Sequence, residues 1–295
     1  MVKISFLLVL VCLPLTFAQA QDELLKLAGA TDSAASETVT GTFKATRLVN
    51  GHSVETNGEG VLLFLISHRF GTLNSGAYEF FGLDQATIRL GLEYGLTDCL
   101  NVGIGRSSLE KTFDGFLKYK LLQQQTKQGM PVTLTLFTST AVRSLKWPDE
   151  EESLDLEHRF TYTHQLLIAR KFTERLSLQL SPTLVHRNLV PARQDENNVY
   201  ALGGGGRFKI TKHTSFNAEY YYLLSDQTRE AFRNTLSLGF DIETGGHVFQ
   251  LIFTNAQGMV EKFFVPQNTG YWSKGDIYFG FNISRTFDLK GDEEW

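Results

Sequence analysis

Seven histidines, at positions 52, 68, 158, 164, 186, 213 and 247, are the first residues to weigh for chemistry. A shared metal needs imidazoles gathered into one coordination sphere, and no pair here has helical ligand spacing. His158 and His164 fall on one face of the same β-prone run. At about 3.3 Å per residue they lie about 20 Å apart and cannot share an ion. Hydrolysis through a nucleophile needs a serine, a histidine and a carboxylate or amide held together. His52 and Ser53 are neighbours in sequence, so they point to opposite faces of a strand, and the chain has no Gly-x-Ser-x-Gly elbow. Partners drawn from separate strands keep a lipid-modifying enzyme as a minor alternative. The run Gly203-Gly-Gly-Gly206 is followed by Arg207-Phe-Lys in a strand pattern, whereas a phosphate loop requires Lys-Ser/Thr and a helix. It reads as a strand that bends and leaves room for bulky neighbours. No catalytic residue, metal site or cofactor is assigned.

Charges offer a different chemistry. Arg89, Glu93, Lys118, Lys120, Glu219 and Asp241 each occupy the polar side of an alternating run, where they would set the bore and transverse field of an aqueous lumen. An acidic stretch at 149–152, with Asp155 and Glu157, reads as a solvated loop that could gather cations at a pore mouth. The loop at 259–272 is long and aromatic. Its Phe263, Phe264, Tyr271 and Trp272 are candidates for a constriction or a partner contact.

These residues must be positioned by strands. Leu176-Ser-Leu178-Gln-Leu180 and 88–96 show strict apolar/polar alternation, the mark of a strand with one apolar and one wet face. The pattern recurs at 60–70, 86–96, 99–106, 112–122, 130–142, 158–171, 175–186, 198–210, 214–224, 231–242, 247–255 and 275–289. Every second connection is short (97–98, 123–129, 172–174, 211–213, 243–246), and most of the others are longer. Sorting of loops by parity is expected of an up-and-down antiparallel transmembrane β-barrel of about twelve strands.

Alternation does not say which face points inward. A secreted β-sandwich with its apolar face inside is the competing reading. Size favours the membrane, because about eight strands close over a filled interior, and twelve lined with Leu and Phe would leave an apolar hole. Aromatics near segment ends (Tyr94, Phe113, Phe160, Tyr162, Phe208, Phe216, Phe287) suit interfacial girdles. The last strand alternates through Ile277, Phe279, Phe281 and Ile283, a segment of the kind barrel assembly machinery reads, although a polar tail at 290–295 follows it.

Lys3, an apolar stretch at 4–17 and Ala18-Gln19-Ala20 read as a signal peptide cut after Ala20. Cys12 does not read as a lipoprotein cysteine, since Val11 stands where a small residue is expected. Cleavage leaves Cys99 alone, without an internal disulfide partner. A net charge of −4 gives no footprint for nucleic acid. Residues 21–59 form a lead-in followed by a hairpin, signalled by Asn50-Gly51 between β-prone runs, with His52 next to it. The hairpin is expected to cap or plug the barrel (60–289), or to add two strands and raise the count to fourteen.

Thr42-Phe-Lys-Ala-Thr-Arg-Leu-Val-Asn-Gly-His-Ser-Val-Glu-Thr56, His68-Arg-Phe-Gly71, Phe81-Gly-Leu-Asp-Gln-Ala86 and 111–120 resemble a family of membrane-bound β-barrels of unknown function from Gram-negative bacteria. The resemblance covers nearly the whole chain beyond the leader and implies an outer-membrane barrel; it brings no activity and no site residues. The expectation is a monomeric barrel in contact with outer-membrane lipid, passing small polar solutes. The alternative is a closed structural or interaction barrel that docks a periplasmic or surface partner.

Overall fold

The computed structural model describes residues 37–127, 129–146, 154–190, 192–193, 195–224, 228 and 231–290. The leader, the lead-in to 36, the acidic stretch at 149–152 and the tail beyond 290 lie outside these residues. Met1–Glu37 is one unit, and Thr38–Trp295 is a second that carries everything described below.

Twelve strands form a single closed sheet: β1 (Val61–Thr72), β2 (Ala86–Thr97), β3 (Leu100–Ser107), β4 (Phe113–Leu122), β5 (Thr133–Val142), β6 (Phe160–Lys171), β7 (Leu176–Arg187), β8 (Asn198–Lys209), β9 (Thr214–Leu223), β10 (Thr235–Thr244), β11 (His247–Thr254) and β12 (Tyr278–Asp288). Each pairs antiparallel with its sequence neighbours. β1 closes the ring on β12, from Val61↔Asp288 to Arg69↔Gly280. No helix among the described residues is long and apolar enough to cross a membrane; closure leaves no unpaired edge, which is what lets strands cross lipid.

The alternation resolves into an apolar outside and a polar inside. Along β2, Ile88, Leu90, Leu92 and Leu96 are exposed, whereas Thr87, Arg89 and Glu93 are buried. Leu178 and Leu180 on β7 are exposed around buried Ser177, Gln179 and Ser181. A soluble sandwich would bury the first set, so that reading falls. Exposed aromatics gather at both rims, with Phe113, Tyr200 and Tyr222 at one and Phe208 and Phe287 at the other.

The loops sort by parity as the sequence led us to expect, except that the β3–β4 connection (108–112) is shorter than the β4–β5 connection (123–132). The barrel ends meet on the short-turn rim, where Gly60 N–H donates to Gly95 O and Leu289 N–H to Gly60 O. This is the inner rim below, and the long-loop rim is the outer. The strands at 130–142, 231–242 and 275–289 are shorter than expected. Above β10 the ladder gives way to side chains: Asn234 Oδ1 accepts from Leu223 N–H, and Asn255 Oδ1 accepts from Leu236 N–H.

The N-terminal hairpin adds no strand to the sheet, so the count is twelve and not fourteen. Its ladder runs through Arg47↔His52, with Leu48 N–H donating to Gly51 O and Ser53 N–H to Thr46 O. The turn is therefore centred on Val49-Asn50, one residue earlier than Asn50-Gly51. The glycine is needed for space. A Cβ on Gly51 would sit 2.3 Å from the Tyr221 hydroxyl.

Leu92 lies mid-height on the lipid face and Leu96 near the inner rim. Leu92→Arg is expected to lower folding stability in bilayers by about 2–4 kcal/mol, and Leu96→Arg by about 1 kcal/mol or less. Urea titration of vesicle-folded protein reads both, and equal costs at the two depths would contradict the lipid-facing assignment.

Candidate functional site

The lumen is occupied from both ends. The hairpin, residues 42–56, enters from the inner rim. A segment of the β11–β12 loop enters from the outer rim, with one short helix, α1 (Glu261–Phe264), all of whose residues are buried.

The hairpin is held by the polar face of the wall. The Glu219 carboxylate (β9) accepts from the backbone N–H groups of Gly51, Asn50 and Val49 at 3.0, 3.2 and 3.4 Å. The turn leaves these donors pointing at the wall, and a carboxylate with several lone pairs can take them together. Asn50 Nδ2 donates to Ser237 Oγ at 2.8 Å, and Arg69 on β1 donates to Asn50 Oδ1 at 2.8 Å. On the opposite side Lys118 (β4) donates to the carbonyls of Glu55, Ser53 and Thr46 at 2.9, 3.1 and 3.3 Å. Gln179 (β7) bonds both ways, accepting from Val54 N–H at 3.0 Å and donating to His52 O at 2.8 Å. Gln250 and Asn282 reach the carbonyls of Leu48 and Val49.

Apolar contacts supplement this network. Phe43, Leu48 and Val54 of the hairpin cluster with Phe116, Phe137, Leu167 and Ala169, inward-facing wall residues that depart from the polar pattern. The His52 ring lies between Phe116 and Phe137, with centroids 4.5 and 4.1 Å away. The glycine run of β8 forms the bed for the turn. A Cβ on Gly205 would sit 2.3 Å from Leu48 Cδ2, and one on Gly203 would sit 2.6 Å from the Tyr221 ring.

The outer loop packs above. Phe264 is fully buried, with its ring 5.2 Å from Tyr221, and its carbonyl accepts from the Thr235 hydroxyl. Phe263 and Val260 cluster with Ala141. Tyr271 and Trp272 stay half-buried at the rim, where Arg233 and Lys274 cover the Tyr271 ring and the Trp272 indole donates to Leu236 O. The four aromatics thus divide into a buried pair and a rim pair.

Where the two inserts meet, charge gathers. Arg47 lies 3.2 Å from Glu93 and 3.7 Å from Glu261, and His52 Nε2 lies 3.8 Å from Glu261. Arg89 is paired with Asp114 through Nε at 2.9 Å. His52 is held well below the ordinary imidazole range, first by burial and then by Arg47, Lys118 and Arg89, so it is neutral at pH 7. Burial pushes Glu261 up while Arg47 opposes the shift, and burial lowers Arg47 against the pull of Glu93. The gap at this junction admits no water-sized sphere. A recess of about 270 Å³ does open at the inner mouth, lined by both hairpin arms and by Glu243, His247, Ser284 and Thr286.

Of the sequence-derived candidates, Arg89, Glu93, Lys118, Glu219, Asn50, Gly51 and His52 converge on the hairpin and its junction. Asp241 is buried on β10 towards the inner rim, accepting from Gln250 Nε2 at 2.9 Å. Lys120 stays half-exposed near the inner rim. Sequence reasoning missed Arg47, Arg69 and Glu261. Arg69 had a legible signal, since it alternates with Ile66, His68 and Phe70 on the wet side of β1; Glu261, on a loop, had none. Among the described residues no group of three His, Cys, Asp or Glu is placed to hold a metal.

A closed twelve-strand barrel with an apolar outer face and a filled polar lumen defines a membrane-bound β-barrel. Residues 43–287 match the family described as "Membrane bound beta barrel domain (DUF5777)", and the chain belongs to that family. No curated protein matches it. Among solved structures it is similar to the NanC porin (12% identity over 77% of this chain and 100% of that one, TM-score 0.47). It is also similar to the KdgM porin (10%, 77% and 99%, TM-score 0.46) and to an outer membrane channel from Pseudomonas putida F1 (14%, 79% and 98%, TM-score 0.46).

Glu219→Ala strands the turn's N–H donors, and Gly205→Leu fills the space of Leu48. Each is expected to weaken hairpin docking by about 1–3 kcal/mol and to speed tryptic cleavage at Lys44 and Arg47. Compact migration in cold detergent gels should persist. Unchanged cleavage would show that the hairpin is held elsewhere.

Proposed function

We propose that this protein is an outer-membrane barrel closed by its own N-terminal hairpin, and that small polar solutes pass when the two inserts leave the lumen. The observation that carries the reading is the fit between the wall and the hairpin turn. Glu219, Lys118 and Gln179 satisfy backbone groups that would otherwise need water, and Gly203 and Gly205 clear the space. With the inserts withdrawn, the same side chains would line a wet passage of mixed charge. Export by the leader, a monomeric state, passage through barrel assembly machinery and contact with outer-membrane lipid belong to this reading, which assigns the barrel no reaction and no cofactor.

A second reading, a closed barrel that docks a periplasmic partner, draws on the recess at the inner mouth. There Lys44 and Glu243 form a half-exposed ion pair between hairpin and wall.

Planar-bilayer recording separates the two. The intact protein is expected to hold the bilayer tight. A variant lacking 38–58, with 257–269 replaced by a short Gly-Ser linker, is expected to conduct steadily. A tight bilayer with that variant, refolded to the compact gel form, would sink the passage reading and leave the docking barrel.

A further inference from the structure

Hairpin and loop enter from opposite rims, yet they are not independent. Arg47 on the hairpin and Glu261 on the loop face one another at 3.7 Å, both buried. The wall around them is already balanced: Arg89 and Lys118 stand against Glu93 and Asp114, with His52 neutral. The hairpin adds one cation and the loop adds one anion. Without the loop, Arg47 keeps only Glu93 and the junction holds one excess cation; without the hairpin, Glu261 loses Arg47 and the junction holds one excess anion, and either imbalance weakens the seat of the insert that remains. Other polar ties of the loop run from Gln257 to Thr87 on β2 and from Lys262 to Glu110 in the β3–β4 connection. Tyr221 provides a second joint, with its hydroxyl against Gly51 of the hairpin and its ring against Phe264 of the loop.

We propose that the two inserts form a coupled pair, through which displacement of the outer loop is transmitted to the periplasmic mouth. The barrel then relays an event at the cell surface inward, whether or not solute passes. This rests on the plugged reading above. Coupling is reciprocal: undocking the hairpin loosens the loop by the same factor as undocking the loop loosens the hairpin. The agent that lifts the loop would act at the outer rim, where Tyr271 and Trp272 are half-exposed.

The test uses full-length protein folded in vesicles, with Cys12 and Cys99 both replaced by Ser and single-cysteine reporters at S53C on the hairpin and M259C on the loop. Both positions are buried. Labelling with a maleimide-polyethylene glycol reads the open fraction of each insert, and cold-gel mobility confirms the barrel. S53C should label slowly in the otherwise unaltered chain. E261Q, which keeps size and removes charge, should raise S53C labelling by about tenfold or more, and R47M should do the same for M259C. Combined, E261Q and R47M should give less than the product of their separate effects. Effects confined to the mutated insert, or a fully multiplicative double variant, would overturn the coupling while leaving the plug intact. Fast labelling of S53C without either substitution would instead overturn the plugged reading itself.

Discussion

The structure depends on one constraint: polar groups sealed from water must find their partners within the protein. A twelve-strand wall turns its charged and amide side chains inward, and lipid forbids them any other direction. Left empty, that interior would fill with water. Instead, a stretch of backbone supplies the partners, and side chains that could have lined an aqueous bore take up hydrogen bonds to main-chain N–H and C=O groups. Burial of a polar group is costly only when it is unsatisfied. The hairpin is therefore stabilised by the same residues that make the lumen polar.

Sterics complete what hydrogen bonding begins. The hairpin turn lies close to β8 and β9 because Gly51 and Gly205 carry no Cβ, and Gly203 makes room for the Tyr221 ring that meets the turn. Apolar residues on the wet face, Phe116, Phe137 and Leu167, would be misplaced in an aqueous bore. They meet Phe43, Leu48 and Val54, so the lumen contains a small hydrophobic core of its own.

Much of this was legible in the sequence. Period-two alternation located all twelve strands, because lipid outside and polar groups inside impose opposite demands on adjacent residues. Loop parity gave the two rims. The wet-face charges were found by the same logic, and the Asn50-Gly51 signal identified a hairpin. What was hidden is long-range. That Glu219 would meet the N–H groups of a turn 168–170 residues earlier depends on tertiary placement, which no local pattern encodes. The hairpin register was misread for the same reason: Gly51 is present for the wall's sake and not to supply a left-handed turn. Glu261 sits in a loop without periodicity, so nothing marked it as buried.

Both ends of the hairpin segment emerge at the inner rim. Val39 N–H bonds to Gln124 O at one end, and Gly60 N–H bonds to Gly95 O at the other. The segment is thus a closed loop of chain fastened at two points to one edge of the cylinder. It can leave the lumen without threading a free end past the wall, and once out it cannot diffuse away. Return is a unimolecular step at an effective concentration of about millimolar or higher, so occupancy of the lumen is independent of how much protein the membrane holds.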